Sequence, residues 1–152
     1  MRRPIIALCL TAAALLGGCA SAPISGYAWS RDDDAEGASL MLAADNAAPP
    51  LVALTCRPGS GAVDLTLTGF RRNGAVIELH VGKIWNRYAG AGLAEDGPDA
   101  PMSIRAQLSA TDPVLVALGD TGELTVVQGD VRIHAPNAFA PAHDFLAVCR
   151  AP

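Results

Sequence analysis

Hydrophobic and polar positions alternate with a period of two along several segments of this chain. The clearest alternations cover residues 63–68, 76–81 and 102–109. Strands with this pattern bury one face and leave the other in water, which is typical of antiparallel sheets. Seven or eight short strands favour an all-β fold, either a mostly antiparallel sandwich or a small barrel. Four further strands are predicted from apolar runs between turn residues, at 39–43, 51–57, 123–127 and 131–135.

The same pattern predicts the facing positions of two hairpins, because directly opposed residues of antiparallel strands share a face. In the first hairpin, Leu67 is predicted opposite Leu79 across a three-residue turn at 72–74. In the second, Val126 is predicted opposite Val131 across an even-numbered loop.

Two short helices are predicted in the C-terminal half. Asp112 and Pro113 are typical of a helix start, a capping residue followed by proline, with one or two turns through Leu118. Residues 114–118 are also consistent with a buried strand. The second helix is predicted from Pro141, where an apolar stripe at helical spacing is formed by Ala142, Phe145, Leu146 and Cys149.

The N-terminus has the parts of an export signal. Arg2 and Arg3 precede an apolar run over residues 5–16, which is too short to span about 30 Å of hydrocarbon comfortably. The run leads to Leu16-Gly17-Gly18-Cys19, which resembles a lipobox, the processing signal of bacterial lipoproteins. An ordinary secretory signal cleaved near residues 20–22 is the alternative, but the cysteine stands where the apolar run stops.

The resemblance implies cleavage before Cys19 and lipidation of that cysteine, including palmitate. One acyl chain anchors a protein only marginally, and bacterial lipoproteins typically carry three. Residues 1–18 are then a signal peptide, 19–26 the lipidated cysteine and a flexible tether, and 27–152 a single β-rich domain. Ala20 replaces the Asp that often retains such proteins in the inner membrane. The resemblance therefore implies the periplasmic face of the outer membrane.

Two of the four cysteines, Cys56 and Cys149, remain available for pairing, because Cys9 lies within the signal and Cys19 is the expected site of lipidation. In an oxidising compartment a disulfide is the expected state of such a pair. It would close a loop of about 94 residues, which contributes about 4–5 kcal/mol in the chain-entropy model. Two free thiols or a metal-binding pair are the alternatives, although a zinc site needs further ligands nearby.

Charge limits the partners of the mature chain. The whole sequence has 11 Lys and Arg against 15 Asp and Glu, and two of those cations lie in the signal, which leaves a net charge near −6. A domain this acidic is a poor candidate for binding nucleic acid. The expected partners are the membrane, through the lipid anchor, and an envelope protein or an anionic envelope polymer.

Residue patterns typical of catalysis or metal binding are few. His80, His134 and His143 are far apart in sequence, and the second hairpin places His134 opposite Glu123, as a surface pair or a dyad. The acidic run at 32–36 lacks the ligand spacing of a calcium loop and favours a solvated loop. No nucleophile-elbow, zinc-protease or phosphate-loop motif occurs, so no catalytic residue, metal or cofactor is predicted.

The segment from Arg71 to Tyr88 is the predicted contact surface. It is basic and aromatic in an otherwise acidic chain, and such side chains commonly anchor interfaces. The alternative is that its rings fill the core and its arginines solubilise a turn. The predicted binding residues are Arg71, Arg72, Lys83, Trp85, Arg87 and Tyr88.

The layout of a lipobox, an antiparallel β-domain and a cysteine pair resembles the small periplasmic lipoproteins that inhibit C-type lysozyme. Their inhibitory loop carries a Ser-Gly-x-x-Tyr element, whereas here Gly82 and Tyr88 are further apart and that serine is absent. The expected function is therefore a non-enzymatic binding or structural module of the cell envelope. Lysozyme inhibition and a periplasmic enzyme are the alternatives.

Overall fold

The computed structural model describes residues 22–44, 49–69, 76–93 and 103–150. These residues form ten strands and two helices. Their bounds are β1 (Tyr27–Asp33), β2 (Ala38–Ala44), β3 (Val52–Cys56), β4 (Ala62–Thr68), β5 (Val76–Val81), β6 (Ile84–Ala89), β7 (Ala91–Leu93), β8 (Ser103–Ser109), α1 (Pro113–Thr121), β9 (Thr125–Gln128), β10 (Val131–His134) and α2 (Phe139–Arg150). Within this part of the chain, no helix is long and apolar enough to cross a membrane.

The strands form two antiparallel sheets, which confirms the predicted mostly antiparallel β fold. The six-stranded sheet has the order β1-β2-β3-β4-β8-β7, and the four-stranded sheet has the order β10-β9-β5-β6. Each of the seven strands predicted individually coincides with an observed strand to within two residues at either end. Strands β1, β6 and β7 are additional.

Both sheets contribute their inner faces to one hydrophobic core. In the six-stranded sheet, Leu40, Leu54 and Leu65 lie in one lateral row, each directly opposite the next, and none is more than 1% exposed. In the four-stranded sheet, Leu79 lies opposite Val126 in the same way. Burial therefore follows the alternation in the sequence.

The two helices pack against each other and link the sheets, because α1 contacts β5 and β6 while α2 contacts β1 and β2. Helix α1 starts where predicted: Asp112 is the N-cap, and its side chain accepts a hydrogen bond from the Val114 amide. It continues past the predicted end at Leu118 to Thr121. Within it, a Cβ at Gly119 would lie 3.0 Å from Leu146 Cδ1, so the glycine allows α2 to pack closely. The helix ends at Gly122, which has a left-handed φ of 72°.

Helix α2 begins at Phe139, two residues before the predicted start at Pro141. The four residues of its predicted apolar stripe are all buried. The last of them, Cys149, forms a disulfide with Cys56 across a Cα–Cα distance of 5.7 Å, which confirms the predicted pair. The disulfide joins the end of β3 to the last turn of α2.

The first predicted hairpin is wrong, because β4 and β5 lie in different sheets. Leu67 lies opposite Val52 on one side and Ile104 on the other, and Leu79 lies opposite Val126. These partners are apolar and face inward, so they fit the alternation as well as the predicted pairing of Leu67 with Leu79 does. Alternation determines which face a residue occupies but not which strand it meets. The predicted turn at 72–74 lies outside the described residues.

The second predicted hairpin is present, but its register is wrong by two residues. Val126 lies opposite Ile133 instead of Val131. The loop contains only two residues, and Gly129 adopts a left-handed φ of 56° that permits so tight a turn. A shift of two keeps each side chain on its predicted face and changes only its partner.

Candidate functional site

The outward side of the four-stranded sheet, called the outer face below, presents two lateral rows of side chains. Cross-strand register places one residue of each row on each of the four strands. The first row is His134, Thr125, His80 and Trp85, and the second row is Arg132, Val127, Glu78 and Arg87.

Trp85 lies at the edge of the outer face and is packed on its polar neighbours. Its indole stacks on the His80 ring, with 5.7 Å between centroids and 15° between planes. The guanidinium carbon of Arg87 lies 5.5 Å from the indole centroid, which is cation–π distance. The Trp85 residue is nevertheless 54% exposed. The indole is therefore pre-positioned and still open to a partner.

Glu78 links the two rows of the outer face. Arg87 Nε donates to Glu78 Oε1 at 2.7 Å, and His80 Nε2 lies 3.1 Å from Glu78 Oε2. The hydrogen bond from His80, followed by that from Arg87, lowers the pKa of the Glu78 carboxyl below its ordinary value against an opposing effect of burial. Glu78 therefore holds the neighbouring cation in place as a carboxylate.

The two rows of the outer face carry more positive than negative charge, although the chain as a whole is acidic. Within these rows, Arg87 and Arg132 stand against one carboxylate, Glu78, while Glu123 lies at the end of the first row and lines a cleft with His134. The Arg87 side chain is 65% exposed, so it remains accessible to a partner although it contacts Glu78 and Trp85. Guanidinium groups beside an aromatic ring recognise carboxylates and phosphates by charge-assisted hydrogen bonds.

Tyr88, another predicted contact residue, lies on the inner side of the same strand. Positions 85 and 88 point to opposite faces because side chains alternate along β6. Tyr88 is 8% exposed, and its hydroxyl donates to Asp112 Oδ1 at 2.8 Å. Burial, followed by the contact with Asp112, raises the pKa of the tyrosine hydroxyl.

The other predicted contact residues lie at different places. Lys83 is exposed in the two-residue turn between β5 and β6. Arg71 and Arg72 lie outside the described residues. The outer face also includes Arg132 and His134, which the sequence pattern did not connect with this segment. The cross-strand register of β9 and β10 is the signal that brings them together.

The predicted pair of His134 with Glu123 is wrong, because the register of the hairpin differs by two. His134 lies opposite Thr125, and its Nδ1 is 2.9 Å from the Thr125 hydroxyl. Glu123 and His134 instead line one cleft of about 280 Å³, together with Pro23 from the N-terminal segment. That segment is fixed there by a 2.8 Å hydrogen bond from the Ile24 amide to the His134 carbonyl.

The acidic run at 32–36 covers the last two residues of β1 and most of the tight turn to β2. Asp34 Oδ1 accepts hydrogen bonds from the amides of Glu36 and Gly37, and Asp33 forms an ion pair with Arg31. A second cleft, of about 290 Å³, lies beside this turn and includes Arg57 in its lining. The described residues contain no group of three or more His, Cys, Asp or Glu that could hold a metal ion.

His143 completes the set of histidines named from the sequence. It is exposed on α2, where its Nδ1 lies 3.3 Å from Asp144 Oδ1, and its ring is 6.3 Å from that of Phe139. It lies on a different element from the outer face.

Comparisons with known proteins add no relative to this description. No protein-family model, no curated protein sequence and no solved structure matches the chain.

Proposed function

We propose that the protein is a non-enzymatic lipoprotein of the bacterial cell envelope that binds an anionic envelope component through its outer face. In this proposal the chain is exported, cut before Cys19 and lipidated there, and it faces the periplasm from the outer membrane. The N-terminal signal described above supports the anchor.

The observation that carries the binding role is the arrangement of the outer face. An exposed indole contacts a histidine and an arginine, Arg87, and a second arginine, Arg132, lies in the same row as Arg87. Arginine and tryptophan are enriched among the residues that dominate binding energies. The local positive charge on an acidic chain favours a negatively charged partner.

The geometry supports binding more than acid–base chemistry. The carboxylate within the two rows, Glu78, is occupied by Arg87 and His80, and its lowered pKa opposes the proton uptake that a general acid near neutral pH requires. The residues at this surface therefore stabilise one another in an arrangement suited to receive an anion.

Retention on immobilised dextran sulfate, a polyanion, tests this proposal. The mature chain (19–152) with Cys19→Ser should be retained at low ionic strength despite its net negative charge and be released by salt. The double variant Arg87→Gln, Arg132→Gln should elute at lower salt. A matched double variant, Arg57→Gln and Arg105→Gln, removes two exposed arginines outside the outer face and should elute like the parent.

A parent protein that flows through the column would contradict the proposal. Equal loss of retention in both double variants would also contradict it, because retention would then reflect overall charge and not the outer face.

A further inference from the structure

Two apolar side chains and a lysine are exposed together where β5 turns into β6. Ile84 is 44% exposed and Trp85 is 54% exposed, and Lys83 is exposed in the turn itself. We call these three residues the hairpin tip. Because side chains alternate along a strand, Ile84 and Trp85 lie on opposite sides of β6, and both can meet one surface only where this end of the sheet faces it. Arg87 adds a second cation two residues further along the strand.

The N-terminal segment meets the four-stranded sheet at the same end as the hairpin tip. The Ile24 amide donates to the His134 carbonyl on the outer edge of β10. His134 and Trp85 belong to the same lateral row, separated by three strand spacings, which is about 14 Å. The described N-terminal segment therefore lies at the same end of the sheet as the hairpin tip, at the opposite edge.

The length of the chain between this segment and Cys19 limits how far this end of the sheet can lie from the anchor. Cys19 precedes Ile24 by five residues, which span at most about 18 Å when fully extended. A short linker of this kind gives the hairpin tip an effective concentration in the millimolar range at the surface that holds the anchor. Weak contacts are sufficient for occupancy under these conditions.

We infer that the hairpin tip docks on the anionic phospholipid surface to which the chain is anchored. Trp85 and Ile84 enter the headgroup layer, where tryptophan is favoured, and Lys83 and Arg87 lie against its negative charge. Glu78, which pairs with Arg87, and Glu123, at the same end of the sheet, oppose this attraction, so the anchor is needed for stable contact. The inference names the anionic partner of the proposed function and rests on the lipidation of Cys19.

Quenching of tryptophan fluorescence by brominated phospholipids tests this inference. The chain contains two tryptophans, so Trp29→Phe leaves Trp85 as the only fluorophore. In the mature chain Cys19 is the one cysteine outside the disulfide, and it can be coupled to a maleimide lipid in vesicles. The vesicles contain phosphatidylcholine alone or mixed with phosphatidylglycerol. Coupling makes the test independent of whether cells lipidate Cys19.

Trp85 should be quenched in the phosphatidylglycerol vesicles, at least roughly twofold more strongly than in phosphatidylcholine, because the cations add to the attraction. Lys83→Gln should lower the ratio of docked to undocked protein about fivefold. If Trp29→Phe unfolds the protein, the difference between the wild type and Trp85→Phe reports the same quenching.

A matched pair of substitutions distinguishes binding through the hairpin tip from non-specific hydrophobic adsorption of the protein to the vesicles. Ile84→Ser should reduce quenching. Val131→Ser should leave it unchanged, because Val131 is 42% exposed but lies beside the β9–β10 turn at the opposite end of the same sheet.

Absence of quenching with both kinds of vesicle would overturn the inference, as would equal loss in Ile84→Ser and Val131→Ser. If the unquenched protein is still retained on dextran sulfate through its arginines, the proposed function stands and the partner is an anionic polymer. If it is not retained either, both the inference and the proposed function fail.

Discussion

The hydroxyl of Tyr88 donates a 2.8 Å hydrogen bond to Oδ1 of Asp112, the residue that caps α1. The same carboxylate oxygen accepts from the Val114 amide at 2.9 Å, and Oδ2 accepts from Asn86 Nδ2 at 3.2 Å. One side chain therefore starts a helix and ties it to the edge strand that carries Trp85. The position of the outer face depends on this connection to the core.

Asp112→Ala should destabilise the protein by about 2–3 kcal/mol, because it removes both a helix cap and the partner of a buried hydroxyl. Asp112→Asn is the matched control, since asparagine caps helices as well as aspartate and still accepts from Tyr88; it should cost less than about 1 kcal/mol. Urea unfolding measures both. Equal destabilisation by the two variants would contradict this role.

Replacing Cys56 and Cys149 by alanine should lower the free energy of unfolding by about 4–5 kcal/mol, because the disulfide closes a loop with a sequence separation of 93. Reduction of the wild type should produce a similar loss. Chemical denaturation with and without reductant measures the difference. A loss below about 1 kcal/mol would show that the disulfide contributes little to stability.

Gly122→Ala should be strongly destabilising. A Cβ at this position would lie 2.2 Å from the Phe139 amide nitrogen, and the residue has a φ of 72°. Gly61→Ala is the control: Gly61 has a similar φ of 65° but open space around the added atom, so it should cost about 1–2 kcal/mol. Thermal unfolding should rank the wild type first, then Gly61→Ala, then Gly122→Ala. The reverse order of the two variants would contradict the close approach of α2 to Gly122.

The Glu78 carboxyl should titrate below the ordinary range for glutamate, because His80 and Arg87 stabilise its charged form. A lowered pKa in the folded state contributes stability that is present above the unfolded value and lost as the pH falls through the folded value. Carbon-13 NMR of the carboxyl measures the midpoint. His80→Phe should raise the midpoint more than Arg87→Gln. A midpoint unchanged by both variants would contradict the described contacts.

Much of the fold was predictable because its signals are local. The apolar stripe that ends at Cys149, the cap at Asp112 and the alternation within β4 and β5 can each be found within about ten residues of sequence. Strand pairing is not local: Leu67 and Leu79 each require only an apolar neighbour on the same face, and several strands supply one. The alternation within β4 and within β5 does not indicate that the chain passes from one sheet to the other between them.

The candidate site was predictable in part for the same reason. A basic and aromatic segment is visible in sequence, but β6 has mixed polar residues and no clear alternation, so the pattern does not predict a strand there. Treating 84–89 as a strand places Trp85 and Tyr88 on opposite faces at once. The contribution of Arg132 and His134 depends on the pairing of β9 with β5, which no local pattern contains.

The chemical state of Cys19 tests the central claim most directly. The protein purified from the envelope of the native bacterium should give, by intact mass spectrometry, a chain that begins at Cys19 and carries the mass of attached acyl chains. Metabolic labelling with palmitate should be lost in Cys19→Ala. An unmodified chain that begins after residue 19, or labelling that persists in Cys19→Ala, would contradict the account of this protein as a lipoprotein anchored at that cysteine.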